Sequence, residues 1–419
     1  MNALVAAPEA DLKDVAVSLA RLGATSYGGP AIMGIMQAEL QEKRKWVTKE
    51  RFLEGLSVAN MMPGATATQL GIFLGYARGG WWGGLIGGFC FVLPAFVIML
   101  GLTVAYASFG VTPVARSALY GLGPVVIGLF AIAIYRLGKS AMSTTPEITI
   151  AGLAAAASAA TPFGIVAILI LAGLAGLVLF FHSRCNFHSR QPLAVILCAA
   201  AFVAVLVAAW WLNGPAGAVV ARGVPDPRSL VEIGAYFLKV GAFTIGGGLT
   251  MIAFIQDQVV GQFGWLTPRE FVDGLALGQL TPGPVLMIAA YVGYKVAGAA
   301  GAAVAATAAF LPSFVIMLVI LPVLDRVRKL AWMRAVMKGM APAVIGVLAV
   351  SLARLAPAAL PDPFAVAILV ATLLALTLTK LGVFKLMIAG AALGILRSRV
   401  PFMAGFKTAG RLITTWMSA

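Results

Sequence analysis

Four breaks in otherwise apolar sequence are the places in this 419-residue chain where residue type and spacing could do chemistry. They read Ser26-Tyr27-Gly28-Gly29-Pro30, Pro63-Gly64, Thr244-Ile245-Gly246-Gly247-Gly248 and Thr281-Pro282-Gly283-Pro284. Gly and Pro open a helical backbone, and the freed N–H and C=O groups persist at membrane depth only where protein or a polar cavity supplies partners. Helix can restart after each break, and Pro suits its first turn. Each restart aims N–H groups and a positive dipole end at the space in front of it. Four such ends near one midplane would make an anion site, to which Ser26, Asn60, Thr66, Thr68, Thr244, Thr250, Gln279 and Thr281 add neutral donors. A single break would favour simple kinking or close packing; four at matched positions favour a site.

Charges at membrane depth are costly and usually functional. Glu39 and Asp257 each follow a glycine break by about ten residues, Arg21 and Lys239 precede the breaks, and Glu54 matches Asp273. Arg21, Glu39, Lys239 and Asp257 are candidate coupling groups; the competing reading is that the four acids lie near interfaces and snorkel or pair with nearby bases. For Arg136 and Arg354, at helix ends, interfacial anchoring is the stronger reading. No GxxxxGK[ST] loop and no acid–base constellation is present, so neither enzymatic activity nor a cofactor is expected. Cys90, Cys185 and Cys198, with His182 and His188 beside Cys185, lack metal-ligand spacing, and no metal is expected.

The elements that must position these residues are helices in a membrane. Only 11% of the residues are charged and 61% are hydrophobic, with a mean hydropathy of +0.98; a soluble domain carries roughly 25% charged residues. Apolar runs long enough to span recur throughout, without the alternation of a membrane barrel. The net charge of +15 resides mainly in short loops, which sets orientation rather than binding nucleic acid.

The chain is also a duplication. Residues 91–100 (FVLPAFVIML) and 309–318 (AFLPSFVIML) share seven identities in ten, and the same offset of 218 aligns Gly28-Gly29 with Gly246-Gly247 and Arg136 with Arg354. With one residue of slip, Trp46 aligns with Trp265 and Pro63-Gly64 with Pro282-Gly283. The expected organisation is a repeat over 1–181, a connecting helix (192–212) and linker within 182–229, a second repeat over 230–397 and a tail, 398–419. Each repeat should hold two broken segments (12–40 and 52–77; 230–260 and 270–297) and four continuous ones (about 82–107, 117–136, 147–160 and 163–181, then their counterparts). Seven or five crossings precede the second repeat, depending on whether the broken segments span or re-enter. Either number is odd, so the fold class is an all-α polytopic bundle of about 13 segments with inverted repeats, a construction that places substrate between the halves. Loop charges at 41–51, at Arg136/Lys139, at Arg184/Arg190 and at Arg326–Lys329 all fall on the cytoplasmic side if the broken segments re-enter. The basic tail, from Arg397 and Arg399 to Arg411, breaks that pattern.

In these motifs the sequence resembles the chromate ion transporter family in its long, two-repeat form. The resemblance rests on SYGGPAIMGIMQAEL with Trp46, ANMMPGATATQLGIFLGY, FTIGGGLTMIAFIQDQVV with Trp265, and GQLTPGPVLMIAAYVGY. Tyr27 stands where the family usually has Phe, and Pro63-Gly64-Ala65 where Pro-Gly-Pro is typical. The resemblance implies chromate efflux across the bacterial inner membrane, conferring chromate resistance; a sulfate or other oxyanion carrier of the same fold is the alternative. The expected partners are chromate, sulfate as a competitor, and membrane lipid, and the apolar exterior leaves room for a homodimer.

Overall fold

The computed structural model describes residues 12–27, 30–109, 112–161, 164–181, 229–245, 248–323, 331–379 and 381–399. The connecting segment 192–212, both Gly-Gly pairs, the His182–His188 loop, the Arg326–Lys329 loop and the tail beyond 399 lie outside them. The described residues are helical, with no strand among them. The first repeat comprises α1 (Leu12–Thr25), α2 (Pro30–Met36), α3 (Lys49–Met61), α4 (Thr66–Phe109), α5 (Pro113–Ala141), α6 (Thr145–Ala160) and α7 (Ile165–Gly176). The second comprises α8 (Leu230–Phe243), α9 (Thr250–Phe254), α10 (Pro268–Leu280), α11 (Ile288–Ile320), α12 (Ala331–Ala359), α13 (Pro363–Leu378) and α14 (Val383–Arg399). α2 and α9 continue as π-helices, Gln37–Lys43 and Ile255–Gln262, which carry Glu39 and Asp257 respectively.

All four broken segments double back. Arg44, after the second arm of the first, bonds Asp14 at the start of its first arm, Nη1 to Oδ1, at 2.7 Å. Gly55 of α3 packs on the Phe73 ring of α4, on the far side of the Pro63-Gly64 break. A straight helix would hold those two residues roughly 27 Å apart at 1.5 Å per residue. In the second repeat the Tyr236 hydroxyl donates to the Phe254 carbonyl (3.1 Å), and that of Tyr291 to the Glu270 carbonyl (2.9 Å). Each repeat therefore begins with two helical hairpins whose tips are the breaks.

α4 is 44 residues long but turns sharply at Gly79-Gly80, where Gly80 has φ +59. Its two arms run side by side, with Gly75 on the carbonyl of Gly83. α11 repeats this at Ala297-Gly298, with Gly293 on the carbonyl of Gly301. A small-residue face at Gly84 and Gly88 meets Leu318 and Phe314 of α11. Residue number falls on one helix as it rises on the other, so these corresponding helices run antiparallel.

The repeats also exchange helices. α5 packs on α14, Gly121 lying on the Gly390 carbonyl, and α12 packs on α7 in the matching way, Gly339 on the Ala172 carbonyl. The two repeats of the sequence are thus not separate bodies in space. Among the described residues, four helices are long and apolar enough to cross a membrane: Thr66–Phe109, Pro113–Ala141, Val285–Ile320 and Trp332–Ala359. α6 and α13 have 16 residues each, about 24 Å of helix against a hydrocarbon core of roughly 30 Å.

Candidate functional site

The hairpin tips meet in pairs, each joining one repeat to the other. Gly64 N–H donates to the Thr244 carbonyl at 2.6 Å, and Gly283 N–H donates to the Ser26 carbonyl at 2.8 Å. Ala65 N–H is taken by the Ser313 hydroxyl at 2.9 Å. Both glycines hold positive φ, +128 at Gly64 and +96 at Gly283, which suits glycine. The Gly64, Ala65 and Gly283 N–H groups, expected to face an anion, here tie the two halves together. Among the described residues, the donors left to a ligand at these two tips belong to the flanking helix turns.

Those turns line a cavity of about 470 Å³. Its wall takes Ile32 and Met33 from α2, Asn60, Thr66 and Ala67 around one tip, Leu249 beside another, Gln279 and Val285 around the fourth, and Leu129 to Leu137 of α5. Asn60, Thr66 and Gln279 are thereby brought together on one wall. The lining is mostly apolar with a few polar groups, the usual make-up of a small-ligand site.

Other candidates sit beside the cavity. Ser26 and Thr68 are fully buried, and their hydroxyls have no partner among the described residues. Tyr27 packs on Phe384, ring centroids 5.3 Å apart. The Pro63 carbonyl accepts from Gln69 Nε2 at 2.7 Å. The Thr244 hydroxyl donates to the Val240 carbonyl (2.6 Å) and that of Thr281 to the Leu277 carbonyl (2.9 Å). Thr250 bonds the Ile245 backbone, and Gly248 turns the chain with φ +97. Gly28, Gly29, Gly246 and Gly247 lie outside the described residues.

The paired acids differ. Glu39 is ion-paired with Arg44 (3.2 Å) and Lys43 (3.3 Å), near the loop end of its arm. These bonds, Arg44 foremost, hold its carboxyl below the ordinary range. Asp257 accepts from Gln262 Nε2 at 3.3 Å and lies within electrostatic reach of Arg354 and Lys239. Lys239 stands over the Tyr236 ring at 5.6 Å, and Arg21 is exposed.

Arg136 is the functional candidate that sequence reasoning set aside. It reaches the cavity wall, and its Nη2 donates to the Leu376 carbonyl at the end of α13 (3.3 Å). Arg354 does the same to α6, donating to the Ser158 carbonyl at 2.7 Å. The signal was present, since the repeat offset matches these two arginines and their two carbonyl partners. Each arginine caps a helix of the other repeat.

The sequence profile of the chromate transporter family matches residues 13–177 and 231–395. The chain is 34% identical to a chromate transport protein of Cupriavidus metallidurans, over 92% of this chain and 93% of that one. It is 31% identical to a probable chromate transport protein of Synechococcus elongatus, over 82% and 84%. It is 30% identical to a chromate transport protein of Pseudomonas aeruginosa, over 78% and 77%. No solved structure matches it.

Proposed function

The chain belongs to the chromate transporter family, and from that premise we propose that it carries chromate out of a bacterial cell across the inner membrane. The observation that carries this reading is the cavity between the hairpin tips, where Asn60, Thr66, Gln279 and Arg136 converge on one apolar chamber. A tetrahedral dianion there meets neutral donors, helix N-terminal turns and one guanidinium. In this reading the four hairpins re-enter the membrane, those of the first repeat from the cytoplasm, so the cavity mouth beside Arg136 opens inward. A dianion leaving a negative-inside cell gains about 4–5 kcal/mol per 100 mV, so the potential alone can drive export. Glu39, Asp257, Arg21 and Lys239 remain the candidates for modulating that movement, and the lipid-facing surface could also pair two copies.

The test is chromate uptake into everted membrane vesicles, with and without the protein, and with sulfate as competitor. Protein-dependent uptake that excess sulfate reduces only weakly supports a chromate exporter. Equal displacement by sulfate makes it a general oxyanion carrier, and uptake into right-side-out vesicles alone reverses the direction.

A further inference from the structure

The two halves of the molecule, alike in sequence, are not alike around their arginines. In the first repeat a gap separates α2 from α5; it is the cavity, with Ala133 and Arg136 on its wall and Gly34 and Ile35 of α2 exposed. In the second repeat the corresponding gap is shut. α9 packs on α12, and every residue from Thr250 to Ile255 is buried, as are Val347, Leu348, Ser351 and Leu355 on the facing side. Ser351, the counterpart of Ala133, is 3% exposed. Arg354 is drawn onto the Ser158 carbonyl and lies within electrostatic range of the Asp257 carboxylate. Arg136 holds its carbonyl loosely at 3.3 Å and has no carboxylate partner among the described residues, while Glu39, the counterpart of Asp257, is paired with Arg44 and Lys43.

We propose that Arg136 and Arg354 are an exchanging pair of anion-contacting residues. Arg136 meets the anion in the open cavity, and Arg354 takes the equivalent position when α9 leaves α12 and α2 closes on α5. The inference rests on the transport reading above and adds the residues that hold the anion at each face. The pseudo-symmetry supplies the second state: two nearly equivalent halves in different arrangements can exchange them, and the tip-to-tip bonds supply a pivot common to both. A guanidinium suits this role, since its planar fork can hold an oxyanion on two donors while a carbonyl takes another.

The test uses purified protein in liposomes of known orientation. Arg136→Gln should raise the half-saturating chromate concentration roughly tenfold or more on the face that carries Arg44, and Arg354→Gln should do so only on the opposite face, the effect of losing a charged hydrogen bond. A merely structural role in capping α13 and α6 would move both faces together; equal effects on both faces, or none on either, overturn the proposal. Single cysteines at Ala133 and Ser351, probed with a membrane-impermeant maleimide, give a second reading. Ala133→Cys should label from the Arg44 face. Ser351→Cys should label slowly from the other face, and faster when anion is supplied there. Failure of Ser351→Cys to label in a transporting variant overturns the exchange. If chromate protects Ala133→Cys but both arginine variants bind normally, the inference fails and the transport site stands. If chromate gives no protection yet Ser351→Cys still labels, the chromate reading fails and the exchange stands.

Discussion

The first and third hairpins are copies in sequence and opposites in setting. The second arm of the first hairpin runs Ile32 to Ala38, with Gly34, Ile35 and Ala38 exposed; that of the third is buried from Thr250 to Gln256. Side-chain size accounts for part of the difference. Gly34 is matched by Ile252 and Met36 by Phe254, so the third hairpin brings more apolar bulk to α12 than the first brings to α5. Charge accounts for another part. The loop end of the first hairpin holds Lys43 and Arg44, which pair with Glu39, whereas that of the third offers Asp257 Gln262. A duplicated fold can thus hold one half open and one half shut through a few substitutions, while the helix contacts common to both halves stay the same.

Those common contacts should give the largest effects. Gly23 lies on the Phe91 carbonyl and Gly241 on the Ala309 carbonyl, and a Cβ at either would come within 2.1 Å of the oxygen. Gly23→Leu and Gly241→Leu should both prevent accumulation of folded protein, since overpacking costs about 1–3 kcal/mol per site or more even without a backbone clash. Yield of monodisperse protein in detergent is the measurement. A variant that folds normally at one site and not the other would show that the symmetry of these contacts is only apparent.

The ion pair at the end of α14 separates the repeats next. Arg397 bonds Asp362 at 2.7 Å and lies over the Tyr120 ring at 4.3 Å. The counterparts in the first repeat are Leu179 and Thr144. Arg397→Leu alone leaves a largely buried carboxylate without its cation and should destabilise by about 3 kcal/mol. The double change Asp362→Thr with Arg397→Leu installs the first repeat's residues and should recover most of that loss in thermal unfolding. No recovery would mean that the pair serves contacts beyond its own neutralisation.

Much of this was legible in the sequence. Gly, Pro and the 218-residue offset placed the hairpin tips, because backbone breaks are local and a duplication repeats them. Asn60, Thr66 and Gln279, picked out beside those breaks, line the cavity. The tip-to-tip bonds of Gly64 and Gly283 were not legible, because which carbonyl receives an N–H depends on how the repeats interleave. The π-helices at Glu39 and Asp257 were also missed, since nothing in residue type marks an extra residue in a turn. Arg136 was set aside for a related reason: a helix-end arginine looks the same in sequence whether it faces lipid headgroups or a cavity mouth.

The tips themselves should respond more mildly. Gly64→Ala and Gly283→Ala each impose a methyl on a positive φ, a strain of about 1–2 kcal/mol. The contacts then differ: a Cβ at Gly64 would sit 2.5 Å from Ser313 Oγ and from Gln69 Nε2, and one at Gly283 2.8 Å from Ala95 Cβ. Gly64→Ala should lose more thermal stability, because the methyl also disturbs the Ser313–Ala65 hydrogen bond; equal losses would show that backbone strain alone decides.

The smallest effect should come from the acid of the first repeat. Arg44 and Lys43 depress the Glu39 carboxyl below its ordinary range. A depressed acid contributes its stability above its unfolded value and loses it as pH falls through the folded one. Glu39 should therefore leave stability flat from neutral pH down to about 4, the ordinary carboxylate range, with loss only below it. Glu39→Gln should remove that acid limb while changing little at neutral pH, since exposed ion pairs contribute little. Thermal unfolding of wild type and Glu39→Gln across acid pH checks this, and parallel curves over the whole range would show that Arg44 acts on the hairpin through Asp14 and Ser18 instead.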